Sequence, residues 1–245
     1  VALEKTLNHM NVRKGIRGEE TVGGYDNDAE IRPYRSSKDA TDKGTFFGRT
    51  LTTYLGDIVE EFDPYRLFAT VYGESFTSLT ERKEADIVKD MALTLARKAS
   101  SKLGKSLFKA VRNPSGNTTM DLFNGFNTIA ADEISKGNIT LAKGNLYVYS
   151  SITSANAGDV LKAIYSAASD ELRDQENLRM YMPKGVLDKY EEWCLSTLGS
   201  VVYNQTYAQS RLHCDRNVEL VPLIGLKNSE YIYISTKNNM LVGMD

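Results

Sequence analysis

The chain has 245 residues, 41% hydrophobic and 25% charged, which suits a globular protein of one large domain or two modest ones. A formal net charge of −2 disfavours nucleic-acid recognition, because proteins that bind polyanions usually present an excess of basic residues. Two cysteines, Cys194 and Cys214, are too few for a disulfide framework and favour a reducing compartment. The sequence contains no apolar run of about 18 residues, so no membrane-spanning helix is predicted.

The first 45 residues have no sustained helical or strand periodicity and combine several glycines with many charges. Such a stretch buries little apolar surface by itself, so we expect a disordered arm or an extended loop that becomes ordered against a neighbour. Its mixed charges suit salt bridges between subunits or, equally, a solvated loop. Residues 46–79 are richer in aromatic side chains, and Asp63–Pro64 interrupts them.

Residues 80–103 give the strongest helix prediction. Thr80 is a plausible N-terminal cap, and Gly104 can end the helix. An apolar stripe recurs at three- and four-residue spacing, formed by Val88, Met91, Ala92, Leu95, Ala99 and Leu103.

A mixed series of shorter elements is predicted after this helix. We expect helices from Thr119 to about Gly137, after Ser154 or Asn156, and after Pro183. The predicted strands are residues 105–112, 146–150, 178–182, 201–207, 218–224 and 231–235.

No motif assembles into a catalytic, cofactor or metal site. His213–Cys214–Asp215 is the one local cluster of reactive side chains, and neighbouring residues on a strand point to opposite faces, so these three would not converge on one ion. The glycines near residues 15–24 fit neither a P-loop nor a dinucleotide fingerprint. We therefore predict no enzyme activity and no cofactor.

Six stretches resemble major capsid proteins of tailed bacteriophages with the Hong Kong 97-like fold, in particular those from phages and prophages of Bacteroidetes. The stretches are Leu7–Gly18, Arg32–Tyr34, Arg49–Pro64, Leu122–Asn138, Asn177–Tyr190 and Lys237–Asp245. They match in order and spacing and contain no catalytic signature. Together they span almost the whole chain.

The resemblance implies an α+β capsid fold with an extended loop, a long spine helix and a mixed α/β axial domain. It divides the chain into an N-terminal arm and extended loop (1–79), a spine helix with part of a peripheral domain (80–117), an axial domain (118–238) and the start of a returning peripheral strand (239–245). The returning strand would be truncated, so we expect the sequence to be a piece of a longer protein.

The function implied is that of a structural subunit that self-assembles into pentamers and hexamers of an icosahedral virion shell around the packaged genome. Assembly would take place in the bacterial host cytoplasm, with possible scaffold and portal partners and without specific nucleic-acid recognition or a membrane. From side-chain chemistry, the candidates for contacts between subunits are Arg32, Tyr34, Arg35, Lys38, Phe46, Tyr203 and Tyr207.

Two other functions remain open from the residues. A cysteine-dependent hydrolase would need Cys194 or Cys214 beside His9 or His213. A cell-surface binding module would fit the 14 tyrosines and the three Asn-x-Ser/Thr sequons at Asn117, Asn138 and Asn204, and it would require an export signal.

Overall fold

The computed structural model describes residues 2–26, 33–34, 44–59, 61, 84–201, 203–204 and 209–245. These residues form a mixed α+β fold, and the predicted class is confirmed. In the described part of the chain the α-helices are α1 (Ala2–Leu7), α2 (Glu84–Ser106), α3 (Phe126–Ser135), α4 (Ala157–Ser166), α5 (Asp170–Arg173) and α6 (Lys184–Leu198). None of these helices has the length and apolar character needed to cross a membrane.

Among the described residues the strands pair in four small groups. Their bounds are β1 (Asn11–Lys14), β2 (Glu19–Asp26), β3 (Thr45–Thr52), β4 (Leu178–Met182), β5 (Tyr203–Asn204), β6 (Gln209–Ser210), β7 (Glu219–Pro222), β8 (Tyr233–Thr236) and β9 (Leu241–Met244). β1 is parallel to β9, β2 is antiparallel to β3, and β5 is antiparallel to β6. The central sheet has the order β7–β4–β8, with β4 parallel to β7 and antiparallel to β8.

β4 lies between two hydrophobic clusters. Met180 and Met182 belong to a cluster with Leu161, Tyr190 and Trp193 from α4 and α6. Tyr181, which points to the other face of the strand, belongs to a second cluster. The second cluster also contains Met10, Leu107, Phe108, Val221, Leu223, Leu226 and Met240. The predicted strand 178–182 is confirmed, and side chains on both of its faces are buried.

The N-terminal residues also differ from expectation. Residues 2–14 form α1 and β1, and Met10 and Ile16 are buried. A six-residue helix and a four-residue strand are too short to give a readable period. The partner strand β9 lies at the far end of the sequence, so local composition could not indicate it.

Helix α2 spans 84–106, close to the predicted 80–103, and the proposed cap Thr80 lies outside the described residues. Gly104 does not end the helix but is buried within it. A side chain on Gly225 would lie 3.0 Å from the Gly104 carbonyl oxygen and 2.8 Å from the Phe108 ring. Glycine at position 225 therefore allows the 3₁₀ turn Ile224–Leu226 to approach the end of α2 closely.

Two predicted strands are absent among the described residues. Residues 107–112 and 146–150 have no strand pairing. Leu107, Phe108 and Ala110 are buried, so their apolar run reflects insertion into the second cluster rather than a sheet. The helix predicted from Thr119 is a 3₁₀ turn at Thr119–Asp121 followed by α3. Ile129, an apolar residue of α3, is exposed.

Candidate functional site

The hairpin formed by β2 and β3 is the most exposed regular element in the described part of the chain. The two strands pair in register from Glu19 opposite Thr52 to Asp26 opposite Thr45. All of the first six residues of β3 are exposed. A two-stranded ribbon is marginally stable alone, and the distal part of this one is largely exposed. We refer to β2 and β3 together as the hairpin.

The base of the hairpin is attached to the rest of the chain by several hydrogen bonds. The Thr53 hydroxyl donates to the Ile16 carbonyl oxygen at 2.9 Å and accepts from the Gly18 amide at 3.1 Å. The Thr53 amide in turn donates to the Gly18 carbonyl oxygen at 2.7 Å. Ile16 is buried, and its amide donates to the Met244 carbonyl oxygen at 3.1 Å, just beyond the β1–β9 pair. These hydrogen bonds therefore attach the base of the hairpin to the β1–β9 pair and the residues beside it.

Aromatic side chains cover the distal part of the hairpin. Phe46 is 83% exposed and its ring centroid lies 4.8 Å from that of Tyr25, which is more than half exposed. Phe47 is 60% exposed and crosses the backbone at Gly24, where an added Cβ would lie 2.4 Å from the ring. Because Phe46 and Phe47 are neighbours on one strand, they point to opposite faces of the ribbon. Both faces therefore present aromatic surface.

An extended segment follows the hairpin and presents more apolar surface. Leu55 is fully exposed, Val59 is 88% exposed and Ile58 is largely exposed. Two contacts hold the start of this segment. The Arg112 guanidinium lies 4.3 Å above the Tyr54 ring, and Gly56 lies against Leu122. We call Leu55–Val59 the apolar segment.

One ion pair joins the hairpin to helix α3. An Arg49 guanidinium nitrogen lies 2.8 Å from the Glu133 Oε2 oxygen, which also accepts a hydrogen bond from the Asn138 side-chain amide. Arg49 is largely exposed, so solvent screens the pair and its contribution to stability is small.

The contact residues predicted from sequence are placed only in part. Phe46 lies on the hairpin and Tyr34 is 91% exposed. Tyr203 is in β5, with its backbone alone described. Arg32, Arg35, Lys38 and Tyr207 lie outside the described residues. Sequence reasoning missed Tyr25, Phe47, Leu55, Ile58 and Val59, although large apolar residues in a stretch without periodicity were a usable signal.

The His213–Cys214–Asp215 cluster has structural partners for most of its polar atoms. The His213 ring packs 4.9 Å from the Trp193 ring, and the His213 amide donates to the Tyr190 hydroxyl at 2.7 Å. The Tyr190 hydroxyl donates to the Arg211 carbonyl oxygen at 3.1 Å. The Asp215 carboxylate accepts a hydrogen bond from the Tyr165 hydroxyl. These bonds join α4, α6 and the loop before β7.

The electrostatics of this cluster disfavour an activated cysteine. Burial raises the pKa of the Cys214 thiol, whereas a nucleophilic cysteine needs a lowered pKa. Burial also lowers the pKa of His213, so the imidazolium that would stabilise a thiolate is disfavoured. Burial, followed by the hydrogen bond to Asp215, raises the pKa of Tyr165 to about 12. The arrangement is that of a packed structural contact.

Within the described residues no group of three or more histidine, cysteine, aspartate or glutamate side chains could hold a metal ion. A wide-open cleft of about 510 Å³ lies between α5 and the edge strand β8, with a lining that includes Glu171, Gln175, Ser235 and Asn239. Its lining includes no histidine or cysteine.

Comparison with known proteins gives no assignment: no protein-family model matches the chain, and no curated protein matches it.

Proposed function

We propose that the chain is a structural subunit of the icosahedral capsid shell of a tailed bacteriophage or prophage. The observation that carries the proposal is the hairpin, which is anchored at its base and exposes aromatic side chains on both faces. Monomeric proteins seldom leave a contiguous apolar surface of this kind uncovered. In a capsid shell, a neighbouring copy of the chain would cover this apolar surface.

The order of elements also supports this proposal. An extended hairpin precedes the long helix α2, and a compact α/β unit around the β7–β4–β8 sheet follows it. This is the order that resemblance to the Hong Kong 97-like capsid fold implies. The assembled subunits would form pentamers and hexamers of the virion, with scaffold and portal proteins as further partners.

The mechanism of such a subunit is geometric. Burying one large apolar side chain contributes roughly 1.5–3 kcal/mol, so a hairpin laid across a neighbour gains a modest free energy per contact. Because the hairpin and the surface it covers are different patches, the contact is heterologous and closes into rings when repeated around a symmetry axis. Many such weak contacts acting together stabilise a shell. The subunit needs no catalytic group for this function.

Self-association of the purified protein tests the proposal. We expect sedimentation velocity at increasing concentration, and electron microscopy of the complete protein alone or with its scaffold, to reveal capsomer rings or closed particles. Phe46→Ser should weaken association at least tenfold, because it removes the most exposed aromatic ring of the hairpin without touching a buried residue.

Leu195→Ser is the matched control. Leu195 is a more than half-exposed apolar residue on α6, away from the hairpin, and its replacement should leave association unchanged. A protein that remains monomeric at high concentration with its scaffold present would contradict the proposal. Equal weakening by both variants would show that general surface hydrophobicity, rather than the hairpin, drives association.

A further inference from the structure

His9 lies at the turn that joins α1 to β1, within the N-terminal segment (Ala2–Lys14). β1 pairs with β9, and Met10 inserts into the second cluster. His9 adds a polar connection between this segment and the central sheet. Its side chain is 30% exposed, and its Nδ1 atom is buried without a hydrogen bond from any described residue.

Three side chains from two strands surround the turn. The His9 carbonyl oxygen accepts a hydrogen bond from the Tyr181 hydroxyl at 2.7 Å and another from the Arg179 guanidinium at 3.2 Å. The Arg179 Nε atom donates to the Glu219 carboxylate at 2.8 Å. The second oxygen of that carboxylate lies 3.4 Å from His9 Nδ1. We call His9, Arg179, Tyr181 and Glu219 the His9 cluster.

Burial disfavours the protonated imidazole most strongly, and the charges that face the ring act in opposite directions. Glu219 on β7 attracts a proton to the ring, but Arg179 on β4 and Lys237 after β8 repel it. The Glu219 carboxylate is itself shared with the Arg179 guanidinium, so part of its charge is already compensated. A charge on this buried nitrogen would also lack hydration by solvent, which makes protonation less favourable.

We propose that the His9 cluster is a pH-sensitive latch that holds the N-terminal segment on the central sheet at neutral pH and releases it on mild acidification. Burial of the ring favours the neutral imidazole in the docked segment, and Glu219 opposes this only in part. This latch belongs to the single subunit and does not depend on whether the chain assembles.

The direction of the pH effect follows from proton linkage. Burial, more than Arg179 or Lys237, lowers the pKa of His9 below its usual 6.5, and Glu219 opposes this only in part. A released segment would carry a hydrated histidine with the usual value. Docking is therefore at full strength above pH 6.5 and weakens as pH falls through the lowered pKa. One proton can change the docking equilibrium by at most about tenfold per pH unit.

Hydrogen exchange of the backbone amides measures the release. We expect exchange in the N-terminal segment, after correction for the intrinsic rate at each pH, to become faster between pH 7 and pH 5 by up to about tenfold per pH unit. His9→Gln should remove this pH dependence, because glutamine does not titrate. Amides of β4 should be unaffected over the same range.

His213→Gln is the control, since His213 is the only other histidine of the sequence. This variant should keep the acid-induced release of the N-terminal segment. If it abolishes the release as His9→Gln does, the pH effect comes from the whole fold and the latch is wrong.

A second measurement is needed if the N-terminal segment of the His9→Gln variant does not dock on the central sheet at any pH. In the unmodified protein, the chemical shift of the His9 ring proton gives its titration curve directly. A midpoint below 6.5 supports the latch. A midpoint at or above 6.5 means that Glu219 dominates and acid tightens the contact, which overturns the proposal.

Discussion

At the scale of single residues, two glycines at equivalent helical positions have opposite surroundings. Gly158 is the second residue of α4 and Gly185 is the second residue of α6. An added Cβ at Gly158 would lie 2.2 Å from the Trp193 ring, whereas at Gly185 it would meet nothing within 4 Å. Gly158 is therefore required for the packing of α4 against α6, and Gly185 is not.

Replacing each of these glycines with alanine should change stability in opposite directions. We expect Gly158→Ala to lower the free energy of unfolding by about 1–3 kcal/mol through overpacking of the Trp193 ring. Gly185→Ala should leave the protein unchanged or stabilise it by up to about 1 kcal/mol, because alanine restricts the unfolded chain. Urea unfolding followed by circular dichroism measures both. Equal effects would mean that α4 shifts freely to accommodate the methyl group.

At the scale of elements, local sequence patterns predicted secondary structure well where alternating apolar residues or a proline marked the bounds of an element. Residues 178–182 alternate and end at a proline, and both β4 and the start of α6 are found there. Tyr190 and Trp193 face the core as their spacing predicts. β1 was missed because a four-residue strand is specified by its distant partner β9 rather than by its own composition.

The Thr53 hydroxyl makes two of the hydrogen bonds that attach the hairpin at its base. Thr53→Val keeps the shape of the side chain but removes the hydroxyl that bonds Ile16 and Gly18. We expect amides in β2 and β3 to exchange severalfold faster, since each lost hydrogen bond contributes about 0.5–1.5 kcal/mol. Amides in β4 should keep their rates. Hydrogen exchange read by mass spectrometry resolves the two regions.

Thr50→Val serves as the comparison for this change. Thr50 is an exposed threonine of β3, and valine suits a strand as well as threonine does. Faster exchange of the hairpin in this variant too would indicate sensitivity to any added methyl group and would remove the special role of the Thr53 hydroxyl.

At the scale of the whole molecule, β4 supplies side chains to both hydrophobic clusters. Met180 contributes to one and Tyr181 to the other, so neither cluster can lose its order without affecting the strand they share. The second cluster also joins Met10 and Phe108 to Tyr181, residues widely separated in sequence. We expect the described core to unfold as one cooperative unit.

Phe108→Ala tests this coupling. Phe108 is completely buried in the second cluster, so its truncation should cost about 3–5 kcal/mol. Trp193, the single tryptophan of the sequence, lies in the other cluster and reports unfolding by fluorescence. Its transition should move to lower denaturant together with the circular dichroism signal. A fluorescence transition unaffected by Phe108→Ala would mean that the clusters unfold independently.

The candidate site could be predicted only coarsely. Sequence reasoning identified an unpatterned front region and selected Phe46 from it. The pairing of Tyr25 with Phe46 and the anchoring role of Thr53 were not accessible, because both depend on strand register across a long connection. The charged candidates Arg32, Arg35 and Lys38 lie outside the described residues and stay predictions.

The β1–β9 pair at the base of the hairpin has a geometry that resists a pulling force along β1. Gly243 of β9 has no side chain, and Leu51 of the hairpin lies against it together with Ile16. Because β1 leads into the hairpin and runs parallel to β9, a pull along β1 shears all the bonds of that pair at once instead of unzipping them in turn. Force applied along β1 is therefore expected to break the β1–β9 pair in one step rather than residue by residue.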